Sequence, residues 1–269
     1  MLVKTLGLIA GNGQFPVLFA KKAKEQGYRV VTAGVWGDTS PLLKFPSDRF
    51  EYFKVGELRK LFAYFKTEGI KDVIMAGQVT PDNLFDRKVT LDQDFVELFN
   101  AIEDRKADTI FAAVAKKLQS EGMDLLDSTF LLKGHLAPKG TLTQRAPTIK
   151  EIEDIEFGKN IAKAMGYIDV GQTVVVKEKA IVAIEAMEGT DRTIRRGGEI
   201  ARAGAVVVKM SKPNQDFRFD VPVIGPRTIQ TMRKVNAACL AIEAGKTIII
   251  DRPACIKLAN KHKICIVAA

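Results

Sequence analysis

Cysteine, histidine and tryptophan are scarce in this 269-residue chain, which has three Cys, two His and one Trp. Three scattered cysteines (Cys239, Cys255 and Cys265) exclude a disulfide framework and fit a reducing compartment. Cys255 stands beside an expected helix start and Cys265 lies within the apolar run Ile264-Cys265-Ile266-Val267. Core thiols therefore explain them better than a Cys255–His262–Cys265 metal site. His135 and His262 have no nucleophilic neighbour in sequence, which leaves a Ser-His-Asp triad without support. No apolar run approaches the ~20 residues of a membrane span. The opening Met1–Ala10 is too short in its apolar run for a signal peptide and runs straight into Gly11-Asn12-Gly13, so it reads as a first strand. No Gly-x-x-x-x-Gly-Lys-Ser/Thr element occurs, which excludes a P-loop ATPase.

What is present is a globular composition, 46% apolar, with 41 Lys+Arg against 32 Asp+Glu and a net charge of +9. That balance points to anionic partners: nucleic acid, phosphorylated small molecules or an anionic membrane. Aromatics make up only 7% and do not interleave with the basic residues, so nucleic acid is the weakest of the three.

The first 130 residues alternate strand and helix patterns. Leu6–Ala10, Arg29–Ala33 and Asp72–Ala76 read as strands. A helix opens near Pro16, which suits a first turn because its missing N–H would be unbonded there. Leu58, Leu61, Phe62 and Phe65 share one helix face. Asp92 is placed to cap a helix carrying Phe95 and Leu98, and a further helix spans Thr109–Leu118. This alternation implies a parallel sheet covered by helices, an N-terminal Rossmann-like domain over residues 1–135. The Pro- and Gly-bearing stretch 136–148 reads as a linker. A distinct C-terminal α/β domain, expected to be catalytic, follows over 149–269, with strands at Thr173–Lys177, Ala180–Glu185, Ala205–Lys209 and Lys246–Asp251. A long helix from Pro226 through Ile242 is expected to stop at Gly245.

Gly11-Asn12-Gly13 follows a strand and opens a helix, where a nucleotide fold holds phosphate. Pro16 stands where a dinucleotide motif needs its third glycine, and the second strand ends without a carboxylate. NAD is therefore not expected. A ligand-facing turn of backbone N–H groups is, with a ligand-free tight turn as the plain alternative. Gly77-Gln78-Val79-Thr80 puts a second polar turn at a strand's carboxyl end.

The segment from Glu185 to Arg227 is the most unusual. Between Arg192 and Arg227 it holds eight Lys/Arg against three acids, a local excess of five. Carboxylates among basic groups and glycines suit a metal-assisted phosphate site, in which the acids hold Mg²⁺ and the bases offset phosphate charge. A solvated charged face with Asp216 and Asp220 capping turns is the competing reading. The alternation Phe217-Arg218-Phe219-Asp220-Val221 predicts a strand with Arg218 and Asp220 on one face.

Six runs of the chain together carry a resemblance. They are Gly7–Pro16, Leu142–Thr148, Asp169–Val176, Glu185–Asp191, Lys212–Gly225 and Ala241–Thr247. In these runs the chain resembles the LpxI-type UDP-2,3-diacylglucosamine pyrophosphatases along essentially its whole length. The resemblance implies two domains clamping the substrate and Mg²⁺-dependent (or other divalent-cation-dependent) hydrolysis to UMP and 2,3-diacylglucosamine 1-phosphate in lipid A synthesis. Carried onto this chain, it makes Asp220 the first catalytic and metal-binding candidate. Asp191 is the second candidate for both roles and Glu188 a further metal ligand. Lys209 is expected to be catalytic and Lys212 to offset phosphate charge. The expected substrate-binding set is completed by Gly11, Asn12, Gly13, Gln78, Val79, Thr80, Asp108, Glu185, Gly189, Thr190 and Gly225. Lys106-Ala107-Asp108 replaces the family's Gly-Asp-Asp, so that turn rests on Asp108 alone.

A non-hydrolytic nucleotide-sugar or phospholipid sensor is the alternative, disfavoured by acids so close to an anion. The partners expected are the UDP-diacylglucosamine lipid, a peripheral membrane contact, no nucleic acid and, as an option, a second copy of the chain. The expected location is the cytoplasm, peripheral at the inner membrane.

Overall fold

A computed structural model describes residues 4–80, 90–104 and 106–269. It divides into two compact units, each described separately. The first comprises the chain up to Lys133 together with Asp216–Asp220; the second comprises Gly134–Gln215 and Val221–Ala269. The stretch 216–220 thus leaves its sequence neighbours to join the first unit.

The first unit is built on a parallel sheet of β1 (Thr5–Ala10), β2 (Arg29–Val35), β3 (Arg49–Phe53), β4 (Asp72–Ala76) and β5 (Asp124–Leu125), in the order β3-β2-β1-β4-β5. Four helices accompany it among the described residues: α1 (Phe15–Glu25), α2 (Leu58–Thr67), α3 (Gln93–Asn100) and α4 (Ala107–Ser120). β1 and β2 are buried almost throughout, as strands covered on both faces must be. α2 buries the four apolar side chains that its period predicted. Asp92 accepts from the Phe95 N–H at the start of α3. β3 was not foreseen, although its Phe50/Tyr52 alternation carried the period of a strand. The strand order turns at β1, which has β2 on one side and β4 on the other, and open parallel sheets bind ligands at the carboxyl ends of such a pair.

The second unit holds a mixed sheet in the order β6-β13-β11-β9-β7-β8. β9 (Val206–Lys209), β11 (Cys239–Ile242) and β13 (Cys265–Ala268) run parallel, flanked by antiparallel β6 (Gly140–Thr141) and by the β7 (Thr173–Lys177)–β8 (Ala180–Ile184) hairpin. β10 (Val223–Ile224) and β12 (Ile248–Ile249) pair separately. α5 (Ile149–Tyr167) packs on β7 and β9. Its Gly158 makes this approach close, since a Cβ there would lie 2.7 Å from a Val208 methyl. α6 (Thr190–Ala201) covers β7 and β8 and touches α7 (Pro226–Lys234), which in turn touches α8 (Arg252–Lys261). α5 opens with a reciprocal cap: the Thr148 hydroxyl accepts from the Glu151 N–H, and the Glu151 carboxylate accepts from the Thr148 N–H. Residues 136–148 are bonded into this unit. Besides β6, Arg145 donates to both Glu151 oxygens and to the Lys263 and Ala238 carbonyls.

Three expected elements are corrected. The helix from Pro226 ends at Lys234, and Cys239–Ile242 is a strand. Asn236 takes φ +52°, the left-handed conformation that ends a helix, and β11 is buried on both faces, so its run of apolar residues mimicked a helix side. The expected strand at 217–221 is a turn. The Asp216 carbonyl accepts from the Phe219 and Asp220 N–H groups, and the Asp216 carboxylate accepts from the Arg218 N–H and guanidinium. Arg218 therefore folds back on Asp216 instead of sharing a strand face with Asp220. The expected strand 246–251 shrinks to β12, because Asp251 caps α8 by accepting from the Ala254 N–H. The three cysteines are buried free thiols, with Cys239 and Cys265 facing each other in the β11–β13 register.

Candidate functional site

At the carboxyl edge of the first sheet the two glycine turns hold each other. Gly11 N–H donates to the Ala76 carbonyl, and Asn12 and Gln78 exchange N–H to carbonyl bonds of 2.7 and 3.3 Å. A Cβ on Gly11 would meet the Gln78 carbonyl oxygen at 2.5 Å, and one on Gly77 the Asn12 oxygen at the same distance. Gly77 also has φ +89°. These glycines are needed for loop-to-loop approach, and the N–H groups of Gly11, Asn12 and Gln78 are engaged within the protein. The expectation that the Gly11–Gly13 turn directs its backbone donors toward a ligand is not met at Gly11 and Asn12. Gly13, at φ +96°, has open space around it.

Thr80 is held by a residue that sequence reasoning missed. Asp38 is buried just beyond β2, accepts from the Thr80 N–H at 3.0 Å and pairs with its hydroxyl. Asp38 lies three residues beyond the end of β2 at Val35, past the strand-end position at which a dinucleotide motif places its acid. The neighbouring Thr39 hydroxyl donates to the Ala10 carbonyl. Val79 lies in the same turn, and Asp108 sits in the first turn of α4. Ser128 donates to the Met75 and Arg218 carbonyls, and Phe219 stacks on Phe111 at 5.6 Å. These contacts anchor the 216–220 turn, and with it Asp220, in the first unit.

In the second unit the β7–β9 register puts Thr173 opposite Lys209, and Glu185 N–H donates to the Thr173 carbonyl. The Lys209 ammonium, on a residue only 6% exposed, donates to Thr190 Oγ1 at 2.8 Å and lies 3.4 Å from Thr173 Oγ1. Thr190 donates to Glu185 Oε1 at 2.8 Å, while Glu185 Oε2 stands 3.8 Å from the ammonium. That oxygen is buried with no hydrogen-bond partner, an unmet acceptor beside a buried cation. Gly171 makes the arrangement possible, because a Cβ there would lie 2.1 Å from the Glu185 carbonyl oxygen. Gly189, at φ +81°, leads into α6, whose first residue Thr190 joins the same cluster.

Next along β9's exit, Ser211 donates through its N–H and hydroxyl to Glu243 Oε2, and Lys212 pairs with Asp169 at 2.5 Å. Against the upward push of burial, Lys246 and Ser211 hold the Glu243 carboxyl below its usual range. Gly225 precedes α7 in an extended conformation open to any residue, with its N–H 3.4 Å from Thr228 Oγ1.

The remaining expected metal ligands are engaged. Glu188 pairs with Arg196 at 2.6 Å and Asp191 with Arg227 at 2.7 Å. Burial raises the Glu188 carboxyl, but Arg196 and the Ala186 N–H outweigh it and hold the group below its ordinary value. Among the described residues no three His, Cys, Asp or Glu side chains converge on one point. The carboxylates are of the right kind for Mg²⁺, yet Glu188 and Asp191 are each taken up by an arginine.

Comparison with known proteins follows the division of the chain. A model described as the LpxI N-terminal domain matches residues 5–135, and one described as the LpxI C-terminal domain matches residues 138–267. This chain belongs to the LpxI family. A relative from Caulobacter vibrioides named UDP-2,3-diacylglucosamine pyrophosphatase LpxI is 31% identical over 271 residues, covering 96% of this chain and 95% of its own. The resemblance read from the six sequence runs is thereby borne out, as are the parallel N-terminal sheet and the separate C-terminal α/β unit. Two solved structures matched by this LpxI-family chain are far more distant. The biotin carboxylase domain of Hydrogenobacter thermophilus 2-oxoglutarate carboxylase is 13% identical, with 75% of this chain and 42% of that chain covered and a TM-score of 0.29. An ADP complex of N5-carboxyaminoimidazole ribonucleotide synthetase gives 13%, 73%, 45% and 0.30. This chain spans less than half of either, and likeness at that level carries no argument. No helix among the described residues is long and apolar enough to cross a membrane.

Proposed function

We propose that this chain hydrolyses the pyrophosphate bond of UDP-2,3-diacylglucosamine, releasing UMP and 2,3-diacylglucosamine 1-phosphate for lipid A synthesis. The observation that carries this reading is the match to both LpxI domains together with a relative of that activity aligned over nearly the whole chain. The buried Lys209, held by two threonines and a glutamate, suits a fixed positive charge for phosphate oxygens. Lys212 adds a second cation, and Gly189 and Thr190 add the amino end of α6.

A divalent cation belongs to the proposal. Mg²⁺ sites commonly combine one or two carboxylates with substrate phosphates and waters, so a preassembled protein cage is not required. When bound, such an ion offsets charge on the diphosphate. Asp220 is the carboxylate proposed to hold it and is the first residue to test. Asp191 and Glu188 would first have to release Arg227 and Arg196. Gly13, Val79, Thr80, Asp108 and Gly225 remain proposed substrate contacts.

The test is UMP release from UDP-2,3-diacylglucosamine with added Mg²⁺ or with EDTA. Release with Mg²⁺ and none with EDTA is expected. Tight binding without release would replace the enzyme with a sensor, and full release in EDTA would remove the metal.

A further inference from the structure

We propose that the aromatic edge of the first unit docks on the headgroup boundary of an anionic phospholipid bilayer. In resting on a diacyl-lipid substrate for its purpose, the proposal depends on the function proposed above; its geometry stands independently. β3 alternates, so Phe50 and Tyr52 share one face, with ring centroids 4.7 Å apart, while Arg49 and Glu51 point to the other. Trp36, just past β2, meets Tyr52 edge-on at 5.4 Å. The Lys44 ammonium lies 5.6 Å from the Phe50 centroid and 5.5 Å from that of Tyr52. Lys44 ends the 3₁₀ turn Pro41–Lys44, whose Leu43 is fully buried and fastens it to the unit.

Leu42 and Phe45, three residues apart on this turn and joined by the Phe45 N–H to Leu42 carbonyl bond, eclipse on one side. Trp36 is 64% exposed, Leu42 62% and Phe45 86%. One such side chain on a surface is ordinary; three large ones beside two half-buried rings form a patch that calls for a partner. Of the two charged residues between Trp36 and Phe45, Asp38 is buried against Thr80, which leaves Lys44 as the exposed charge of that segment. Trp and Tyr rings with a Lys among apolar side chains match a membrane interface, where the rings sit at headgroup level and the cation meets lipid phosphates. A second copy fits less well, because a two-fold contact through the patch would bring like charges at Lys44 together.

Trp36 is the sole tryptophan of the chain, so its fluorescence reports on this patch alone. The full-length protein is titrated with vesicles of phosphatidylglycerol and phosphatidylcholine, and separately with pure phosphatidylcholine. A blue shift with co-sedimentation on the anionic vesicles, weakened by salt, is expected. The exposed-site variant Leu42→Asp/Phe45→Asp is expected to partition on the order of tenfold or more weakly. The proposal is overturned by an unshifted spectrum, by equal binding to both vesicle types, or by undiminished binding of the variant. A shift that follows protein concentration without lipid also overturns it, in favour of self-association. None of these readouts involves hydrolysis, so failure here leaves the UMP assay untouched, and the reverse holds as well.

Discussion

A Cβ on Gly11 would stand 2.5 Å from the Gln78 carbonyl oxygen, closer than any real side chain tolerates against backbone. The two turns at the carboxyl edge of the first sheet are one bonded unit, and Gly11 is the residue that lets them meet. Gly11→Ala is expected to destabilise the protein by about 1–3 kcal/mol, since the obstructing atom is main chain and cannot rotate away. A urea midpoint within error of the parent would refute this. Gly13→Ala meets no neighbour and bears only the strain of its positive φ, so its expected loss is smaller.

Asp220 lies in a turn seated by its neighbours: Phe219 stacks on Phe111, and Arg218 offers its carbonyl to Ser128. Asp220→Ala is expected to keep its affinity for substrate while losing most UMP release. Near-parental turnover would remove Asp220 from the proposed chemistry.

Lys209 and Glu185 are both buried, and each is the other's charge partner. Lys209→Met leaves the glutamate alone and is expected to cost about 3–5 kcal/mol, with loss of UMP release. Lys209→Met combined with Glu185→Gln removes both charges and should recover part of the stability but none of the turnover. Additive losses in denaturant titrations of these two variants and of Glu185→Gln alone would show that the two side chains are not coupled.

The β7–β8 hairpin turns through Glu178 and Lys179, both at positive φ, and the buried Asp154 of α5 accepts from both N–H groups at 3.0 and 2.6 Å. Removing the carboxylate strands two donors. Asp154→Ala is expected to lose about 1–3 kcal/mol, and hydrogen exchange should accelerate first at Glu178 and Lys179. Unchanged protection there would contradict the assignment.

Stability should depend on acid through Glu151. Burial raises its carboxyl, but Arg145 and the Thr148 N–H outweigh this and hold the group below its ordinary 4.5. A carboxyl depressed in the folded state contributes stability that is complete above the unfolded value and lost as pH falls through the folded one. The denaturation midpoint should thus fall with acidification below about pH 4.5. In Glu151→Gln that slope should flatten. An identical slope in the variant would place the acid sensitivity elsewhere.

Much of this organisation was legible in residues that act locally. The α2 face and the Asp92 cap follow from spacings of three and four residues, which helix geometry reads directly. The six runs that mark the LpxI family were equally visible. The misread segments are those where distant contacts outweigh local pattern. Cys239–Ile242 became a strand because neighbours on both edges and both faces of the sheet offered its apolar run a buried place. Phe217–Asp220 turned because Asp216 captured Arg218 while Ser128 and Phe111 anchored the segment in the first unit. Only tertiary structure could decide that Gly11 serves Gln78, that Asp38 holds Thr80, or that Glu185 and Lys209 share one buried cluster, since those pairs lie 24 to 67 residues apart and meet only once the sheets have formed.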